Sequence, residues 1–283
     1  MANNIRKPSV AGLFYPEYKG ELKELLEKIS SKEKSKIDLN YTKHHIIGGI
    51  VPHAALIYSG YQAFHFFHIL NNAKQPIDTV VILNPNHRGV GPGVALDSHS
   101  SWGTPLGTIN IDEEFYKALD IPVSTAAHDN EHSGEVMVPF LQYYLPESIK
   151  IAPVSMFDQS YDSSYNLAQK LINAEDKTGK SIVIIASSDF SHFVSPSEGN
   201  ELDNLVCKKI EELDAEGVYH TVMENNISVC GYGPIMTLIE YSKTKHPKAK
   251  TQILHRGHSG EIAPSTRVVH YICTLFFEPN AGN

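Results

Sequence analysis

Three histidines follow short apolar segments at matching places in the sequence. His53 ends Ile-Val-Pro-His, His87 ends Asn-Pro-Asn-His, and His192 closes Ser-Ser-Asp-Phe-Ser-His. Neutral imidazole is a common ligand for iron, zinc and copper, and it also exchanges protons near neutral pH. The sequence therefore predicts a site where these rings bind a metal ion or move protons. The alternative is that each ring only hydrogen-bonds its own loop.

A cysteine and an aspartate could complete such a site. Cys230 lies in Val-Cys-Gly-Tyr-Gly-Pro, where two glycines and a proline indicate a backbone held close to its neighbours. A thiol at a helix start is ready to ligate a metal or to react. Asp189 precedes His192 by three residues and could orient that ring and set its tautomer. The alternative for Asp189 is a capping role in a serine-rich turn.

His132 and Glu135 lie three residues apart at a predicted helix start, a spacing that allows both side chains to face one site. The same stretch, with Glu131 and Ser133, also suits the first turn of a helix, where acidic side chains interact favourably with the helix dipole. Both interpretations remain open at this point.

The elements that must position these residues alternate along the chain. Strands are predicted at 46–51, 79–83, 94–96, 149–154, 181–186, 251–254 and 267–277. Helices are predicted at 21–29, 59–70 (capped by Ser59), 112–119 (capped by Asp112), 133–144, 165–174, 201–213 and 233–241. This pattern predicts an α/β fold, with a mixed, largely parallel sheet flanked by helices, in a single domain over residues 1–283. Residues just past the carboxyl ends of parallel strands line the ligand crevice of such folds.

Composition and charge narrow the function classes. The 283 residues are 41% hydrophobic and 20% charged, which is ordinary for a globular protein, and the formal net charge is -8. That charge argues against a nucleic-acid partner. No apolar run approaches the roughly 20 residues needed to span a bilayer, and no secretory signal is visible, so we expect a cytoplasmic protein with no membrane partner.

Seven segments, taken in order, resemble the Memo family across essentially the whole chain. Any one of them is a weak signal, whereas the ordered set is highly specific. The segments are Ser-Val-Ala-Gly-Leu-Phe-Tyr-Pro (9–16), Val-Pro-His-Ala (51–54) with Tyr-Ser-Gly (58–60), Pro-Asn-His (85–87), Trp-x-Thr-Pro-Leu-Gly (102–107), Glu-His-Ser (131–133) with Glu135, Ser-Ser-Asp-x-Ser-His (187–192) and Cys-Gly-x-Gly-Pro (230–234).

The resemblance implies a fold similar to the class III extradiol dioxygenases and a site like theirs. His53 and His87 match two histidine ligands, and Cys230 takes the place of a carboxylate ligand. His192 matches the acid/base histidine, with Asp189 and His132 beside it. The implied metal is iron, although a thiolate ligand shifts the preference toward copper or zinc.

Three functions follow from this site. The first is a metal-dependent redox enzyme that acts on a small molecule or a peptide in the pocket. The second is a non-catalytic binding module that uses the ancestral pocket for a peptide or a partner protein. In the family, prokaryotic members are often encoded beside a radical SAM protein, which implies a pathway partner. The third is a globular protein stabilised by zinc, although structural zinc sites are usually closed and rich in cysteine.

Overall fold

The computed structural model describes residues 4–280, and its strands alternate with helices along that range. The strands are β1 (Ile5–Arg6), β2 (His45–Val51), β3 (Thr79–Pro85), β4 (Val94–Leu96), β5 (Ser101–Thr104), β6 (Gly107–Asn110), β7 (Lys150–Met156), β8 (Ile182–Ser187), β9 (His192–Val194), β10 (Lys250–His258) and β11 (Val268–Glu278). The α-helices are α1 (Lys19–Glu33), α2 (Leu56–Asn72), α3 (Glu113–Leu119), α4 (Val138–Tyr144), α5 (Tyr161–Thr178), α6 (Pro196–Glu211), α7 (Ala215–Glu224) and α8 (Tyr232–Lys245). Short 3₁₀ helices occupy Lys34–Lys36, Leu39–Lys43, Thr125–Ala127, Glu135–Met137 and Ser259–Glu261.

The larger sheet is parallel at its centre and antiparallel at both sides. Its strand order is β10-β11-β2-β8-β3-β7-β4, and β9 pairs with β11. The four strands β2, β8, β3 and β7 run parallel, whereas β11, β10 and β4 pair in the antiparallel sense. The predicted mixed sheet is confirmed, and its parallel part is this central block.

Helices cover both faces of the sheet, as two adjacent glycines in β2 show. A Cβ at Gly48 would collide with the Ile184 carbonyl and touch Leu238 of α8, whereas a Cβ at Gly49 would collide with Phe66 of α2. Successive strand residues point to opposite faces, so α8 and α2 pack on opposite sides. The absence of side chains lets both helices approach closely. Outside them lie α5 and α7 on one side and α1 and α4 on the other.

The parallel block brings three strand ends to one edge of the sheet. Val51 pairs with Ser187, and Leu83 pairs with Ala186, so β2, β8 and β3 end nearly in register. The chain segments that follow these strands carry the predicted histidines and the predicted aspartate. A continuous apolar core joins the helices and sheets into a single α/β domain, as expected. Residues 1–3 and 281–283 of the predicted domain lie outside the described residues.

Two helix predictions need correction. The helix predicted from Ser59 begins at Leu56, and the Ser59 hydroxyl donates to the Ala54 carbonyl from inside the helix rather than capping it. The helix predicted over 133–144 is a 3₁₀ turn followed by α4, because the polar side chains before it turn away to bind other parts of the chain. By contrast, Asp112 caps α3 as predicted, accepting from the Phe115 N–H.

Other elements were not predicted. A separate three-stranded sheet has the order β1-β5-β6. Its strands span two to four residues, too short for an alternating pattern to show in the sequence. Helix α7 was also missed. No helix among residues 4–280 combines the length and hydropathy needed to cross a membrane.

A buried ion pair fastens the N-terminal segment to the body of the domain. Arg6 Nη1 lies 2.6 Å from Glu135 Oε2, and both side chains are almost fully buried. The Glu135 carboxylate also accepts from the backbone N–H groups of Ser9 and Val10 and from the Tyr15 hydroxyl. Segment 9–16 is therefore held by one carboxylate.

Replacing Glu135 with Gln would leave the Arg6 charge buried without its counter-ion. We expect the free energy of unfolding to fall by about 3–5 kcal/mol, the usual cost of removing one partner from a buried pair. Urea denaturation near neutral pH measures this change. The matched control is Glu24→Gln on the exposed face of α1, which should change the free energy by less than about 0.5 kcal/mol.

The contribution of Glu135 to the free energy of unfolding should decrease as the pH falls. Burial would raise the pKa of Glu135, but the Arg6 charge and the hydrogen bonds from Ser9 and Tyr15 outweigh it and lower that pKa. The stabilisation is therefore complete above the unfolded-state pKa of about 4.3 and is lost as the pH falls through the folded-state value. The difference in free energy of unfolding between wild type and Glu135→Gln should therefore become smaller in acid. An equal difference at about pH 7 and about pH 3 would contradict this role of Glu135.

Candidate metal centre

The His53 ring is buried just beyond β2, and one of its nitrogens is committed to the protein. Its Nδ1 lies 2.8 Å from Ser187 Oγ, and that hydroxyl donates its own hydrogen to the Ser133 carbonyl at 2.7 Å. Because the hydroxyl has one hydrogen, it accepts from His53 Nδ1–H. The lone pair of the neutral ring is then on Nε2, which faces Cys230 Sγ. Burial, followed by the charges of nearby histidines, holds the pKa of His53 well below its usual value.

His87, beyond β3, is oriented by a buried carboxylate. Its Nδ1 lies 2.9 Å from Glu131 Oε1, and its backbone N–H donates to Glu131 Oε2 at 2.7 Å. Burial would raise the pKa of Glu131, but the hydrogen bond and charge of His87, with further donors from Ser133, lower it to about 2. An ionised carboxylate can only accept, so His87 Nδ1 carries the hydrogen and Nε2 is free.

His132 joins these two rings. The ligand atoms of His53, His87 and His132 all lie within 4.8 Å of one another. The His132 ring stacks on the His87 ring, with centroids 4.7 Å apart. The centroid of the Phe14 ring lies 4.6 Å from that of His132. Burial, opposed by the charge of Glu131, lowers the pKa of His132 to about 4. The prediction placed His132 beside the acid/base histidine; the geometry places it with the two predicted metal ligands.

Cys230 reaches the same site from the loop before α8. Its Sγ lies 3.2 Å from His53 Nε2 and accepts from the Asp189 backbone N–H at 3.2 Å. A Cβ at Gly231 would collide with the Ser187 carbonyl oxygen, so glycine lets this loop lie against the end of β8. Burial and the nearby Asp189 charge raise the pKa of the Cys230 thiol.

Asp189 does not orient His192, contrary to the prediction. Its carboxylate instead accepts from the His53 backbone N–H at 2.8 Å. The chain turns after β8 so that this carboxylate points toward the end of β2. Burial raises the pKa of Asp189 to about 6, although the hydrogen bond from the His53 backbone and the charge of His192 oppose the rise. Asp189 therefore holds the segment that carries His53.

The His192 ring is oriented by a backbone carbonyl. Its Nδ1 lies 2.8 Å from the Ser228 carbonyl oxygen, and its backbone N–H donates to Ser228 Oγ at 2.8 Å. A carbonyl can only accept, so Nδ1 carries the hydrogen and Nε2 is free to take a proton. The following residue, Phe193, has a φ of 57° and a side chain that is 63% exposed. Strain of this kind collects at functional sites.

Glu135, whose spacing from His132 allows both side chains to face one site, lies elsewhere. It faces Arg6 and the N-terminal segment rather than the histidines. Its neighbour Glu131, interpreted from the sequence only as a helix-start residue, instead orients His87. Ser187 and Ser228, which orient His53 and His192, were also missed. A serine at a strand end carries no sequence signal for this role, because such serines are common in turns.

The separations of donor atoms at this site suit a metal ion: those of His53, His87 and His132 lie within 4.8 Å of one another, and Cys230 Sγ lies against His53. For bonds of about 2.3 Å to sulfur and about 2.1 Å to nitrogen, neighbouring ligand atoms lie roughly 3.1–3.6 Å apart, and the Cys230–His53 distance of 3.2 Å falls in that range. Neutral imidazole is the form that binds metals, and burial favours it for His53 and His132. A buried thiol that resists ionisation on its own becomes a thiolate when a cation supplies the compensating charge. The residues present can therefore hold a transition metal.

Comparison with known proteins shows matches over most of the chain. The family model described as Memo-like protein matches residues 6–275. A MEMO1 family protein of Desulfurococcus amylolyticus is 37% identical over 284 residues, covering 96% of this chain and 99% of that protein. MEMO1 family protein Mbar_A1422 of Methanosarcina barkeri is 35% identical over 272 residues, covering 94% and 97%.

A solved structure is more distant. The uncharacterized protein JW3007 from Escherichia coli K12 aligns with a TM-score of 0.46 and 14% identity, covering 80% of this chain and 99% of that chain. That similarity is too low to support a conclusion about this protein. The family match and the high-coverage relatives are sufficient by themselves: the chain belongs to the Memo family.

Proposed function

We propose that this protein is an iron- or copper-dependent redox enzyme with a pocket like that of the extradiol dioxygenases. The observation that supports this most strongly is shared by His53, His87 and His192. Each ring commits Nδ1 to a protein oxygen, which places the lone pair on Nε2, and the Nε2 of His53 faces the Cys230 thiol. Histidines that ligate metals almost always donate their other ring N–H to such a partner, which fixes ring orientation and raises ligand basicity.

In this proposal His53, His87 and Cys230 hold the metal, with iron as the first expectation and copper or zinc as the alternatives. A bound iron or copper ion would supply one-electron redox chemistry to a small-molecule substrate or a peptide in the pocket. His132, stacked on His87, restricts the rotation of that ring. Asp189, through its hydrogen bond to the His53 backbone, keeps the first ligand in place.

His192 is the proposed general acid/base. Its Nδ1–H is held by the Ser228 carbonyl, so proton exchange with a substrate takes place at Nε2. The ring is half-buried, so part of it is open to solvent. A base whose tautomer is fixed in advance does not need to reorganise during the proton transfer.

A second candidate, a non-catalytic binding module, is favoured by the apolar surroundings of the site. Leu13 is 76% exposed and precedes Phe14, whose ring contacts His132. Ile57 is 48% exposed and follows His53 by four residues. Phe193, next to His192, adds a third exposed apolar side chain. Such a rim suits a peptide or a partner protein. A binding module would keep its partner affinity after metal removal and in Cys230→Ser, whereas the enzyme would lose activity in both.

His53→Ala should abolish metal binding at this centre, because it removes the ligand closest to Cys230. The measurement is elemental analysis after purification without oxygen and reconstitution with iron or copper. We expect the variant to hold about one ion per chain fewer than the wild type. The control is His220→Ala on the exposed surface of α7, which should keep the wild-type content. Equal metal content in wild type and His53→Ala would refute the ligand assignment.

His192→Ala should keep the metal but lose turnover. General acid/base catalysis typically contributes 10²–10⁴-fold, so oxygen uptake with an active substrate should fall roughly 100-fold or more. An oxygen electrode measures uptake, and elemental analysis of the same sample measures metal. Full activity in the variant would remove His192 from the mechanism.

Glu131→Gln should weaken metal binding by about 10–100-fold, because the ionised acceptor that orients His87 is lost. Competition with a chromophoric chelator measures the affinity, and circular dichroism checks the fold. Glu216→Gln, an exposed change on α7, serves as the control. Unchanged affinity in Glu131→Gln would show that orientation of His87 does not depend on this carboxylate.

A further inference from the structure

A second cluster of metal-ligating side chains lies where α1, α2 and β10 meet. It consists of Glu33, His65 and His255, whose ligand atoms all lie within 4.8 Å of one another. Glu33 Oε2 is 3.1 Å from His65 Nε2 and 3.7 Å from His255 Nε2. One carboxylate oxygen therefore faces two imidazole nitrogens from different elements of the fold.

This cluster is separate from the candidate metal centre. Helix α2 begins three residues after His53, and His65 lies nine residues beyond its first residue, Leu56. At about 1.5 Å per residue, His65 is roughly 13 Å along the helix from that end. The two clusters share no residue.

We propose that Glu33, His65 and His255 form a second site for a divalent transition-metal ion, with zinc as the favoured occupant. Two histidines and one carboxylate are a known zinc ligand set that leaves a fourth position open. With bond lengths of about 2.0–2.1 Å, ligands at tetrahedral angles lie roughly 3.3 Å apart. The two observed separations, 3.1 and 3.7 Å, bracket that value.

Two of the three proposed ligands are buried, and the third is partly exposed to solvent. The side chains of Glu33 and His65 are only 5% and 3% exposed, whereas that of His255 is 26% exposed. A carboxylate this buried requires a compensating charge, part of which Lys36 supplies. The partly exposed His255 gives an ion access to the cluster from solvent.

The protein leaves polar atoms around the cluster unsatisfied. Within residues 4–280, His255 Nδ1 and Gln62 Oε1 are buried without a hydrogen-bond partner. Gln62 lies one turn before His65 on α2, and its amide contacts Gly257, two residues after His255. Buried polar atoms without partners are costly. Water bound to an ion at this junction would offer Gln62 a partner.

The backbone of β10 is irregular at this site. Its pairing with β11 shifts register between Ile253 and His255. Such bulges re-aim side chains and are frequent next to functional sites. Here the His255 ring lies 4.6 Å, centroid to centroid, from the His65 ring.

Lys36 competes with a bound ion for the Glu33 carboxylate. Its Nζ lies 2.8 Å from Glu33 Oε1, the carboxylate oxygen that does not face the histidines. The Lys36 side chain is 55% exposed and can move into solvent. Because its charge repels a cation, Lys36→Gln should lower the Kd for Zn²⁺ several-fold.

The test is a Zn²⁺ titration of the full chain in which the first site has been removed by His53→Ala and His87→Ala. Chelator competition measures stoichiometry and Kd, and the visible absorption of Co²⁺ reports the ligand geometry. We expect the chain with both substitutions to bind one equivalent of Zn²⁺. Adding His255→Gln or Glu33→Gln should remove it, and His68→Gln, a neighbouring histidine on α2, should not.

The outcomes are distinguishable. No stoichiometric Zn²⁺ or Co²⁺ in a natively folded background chain would overturn the proposal, and so would binding that survives His255→Gln. An unchanged Kd in Lys36→Gln would overturn the placement of the ion at Glu33. If the background chain does not fold, the same titration of wild type and of the single variant His255→Gln decides. The His255 side chain is only partly exposed, and its replacement should remove one equivalent of Zn²⁺. No loss of an equivalent would then overturn the proposal.

Discussion

The geometry of the candidate metal centre depends on hydrogen bonds on the outer side of its imidazole rings. A neutral imidazole has one donor and one acceptor nitrogen, and its surroundings decide which is which. The partners of the three Nδ1 atoms are a serine hydroxyl already committed as a donor, an ionised carboxylate and a backbone carbonyl. All three can only accept. The tautomers, and with them the direction of the free lone pairs, are therefore set by the fold before any ligand binds.

Two of these acceptors, on Ser187 and Glu131, are positioned by separate parts of the fold. The first is the parallel block, which brings the ends of β2, β8 and β3 to one edge. The second is the loop that carries Glu131 and Ser133, which lies outside that block. Arg6 donates to the Glu131 carbonyl at 2.9 Å and pairs with Glu135 at the end of the same loop. The N-terminal segment thus fixes a loop that orients a proposed metal ligand far away in sequence.

The sequence predicted the positions of the site residues better than their roles. Apolar strands followed by His53 and His87 were sufficient to predict that these two rings lie together, because parallel strands end at a common edge. The partner of each ring was not predictable, because it depends on how loops turn after the strands. Asp189 lies near His192 in sequence yet binds the His53 backbone. The three-stranded sheet was missed for a related reason, since strands of two to four residues show no periodicity.

The most direct test of this account is the tautomeric state of the site histidines in the metal-free protein. Long-range ¹H–¹⁵N NMR distinguishes a protonated Nδ1 from a protonated Nε2, and His→Gln variants assign the signals. We predict that the neutral rings of His53, His87 and His192 carry their hydrogen on Nδ1. Rings protonated on Nε2, or exchanging between the two tautomers, would contradict it, because the lone pairs would then not be directed into the site.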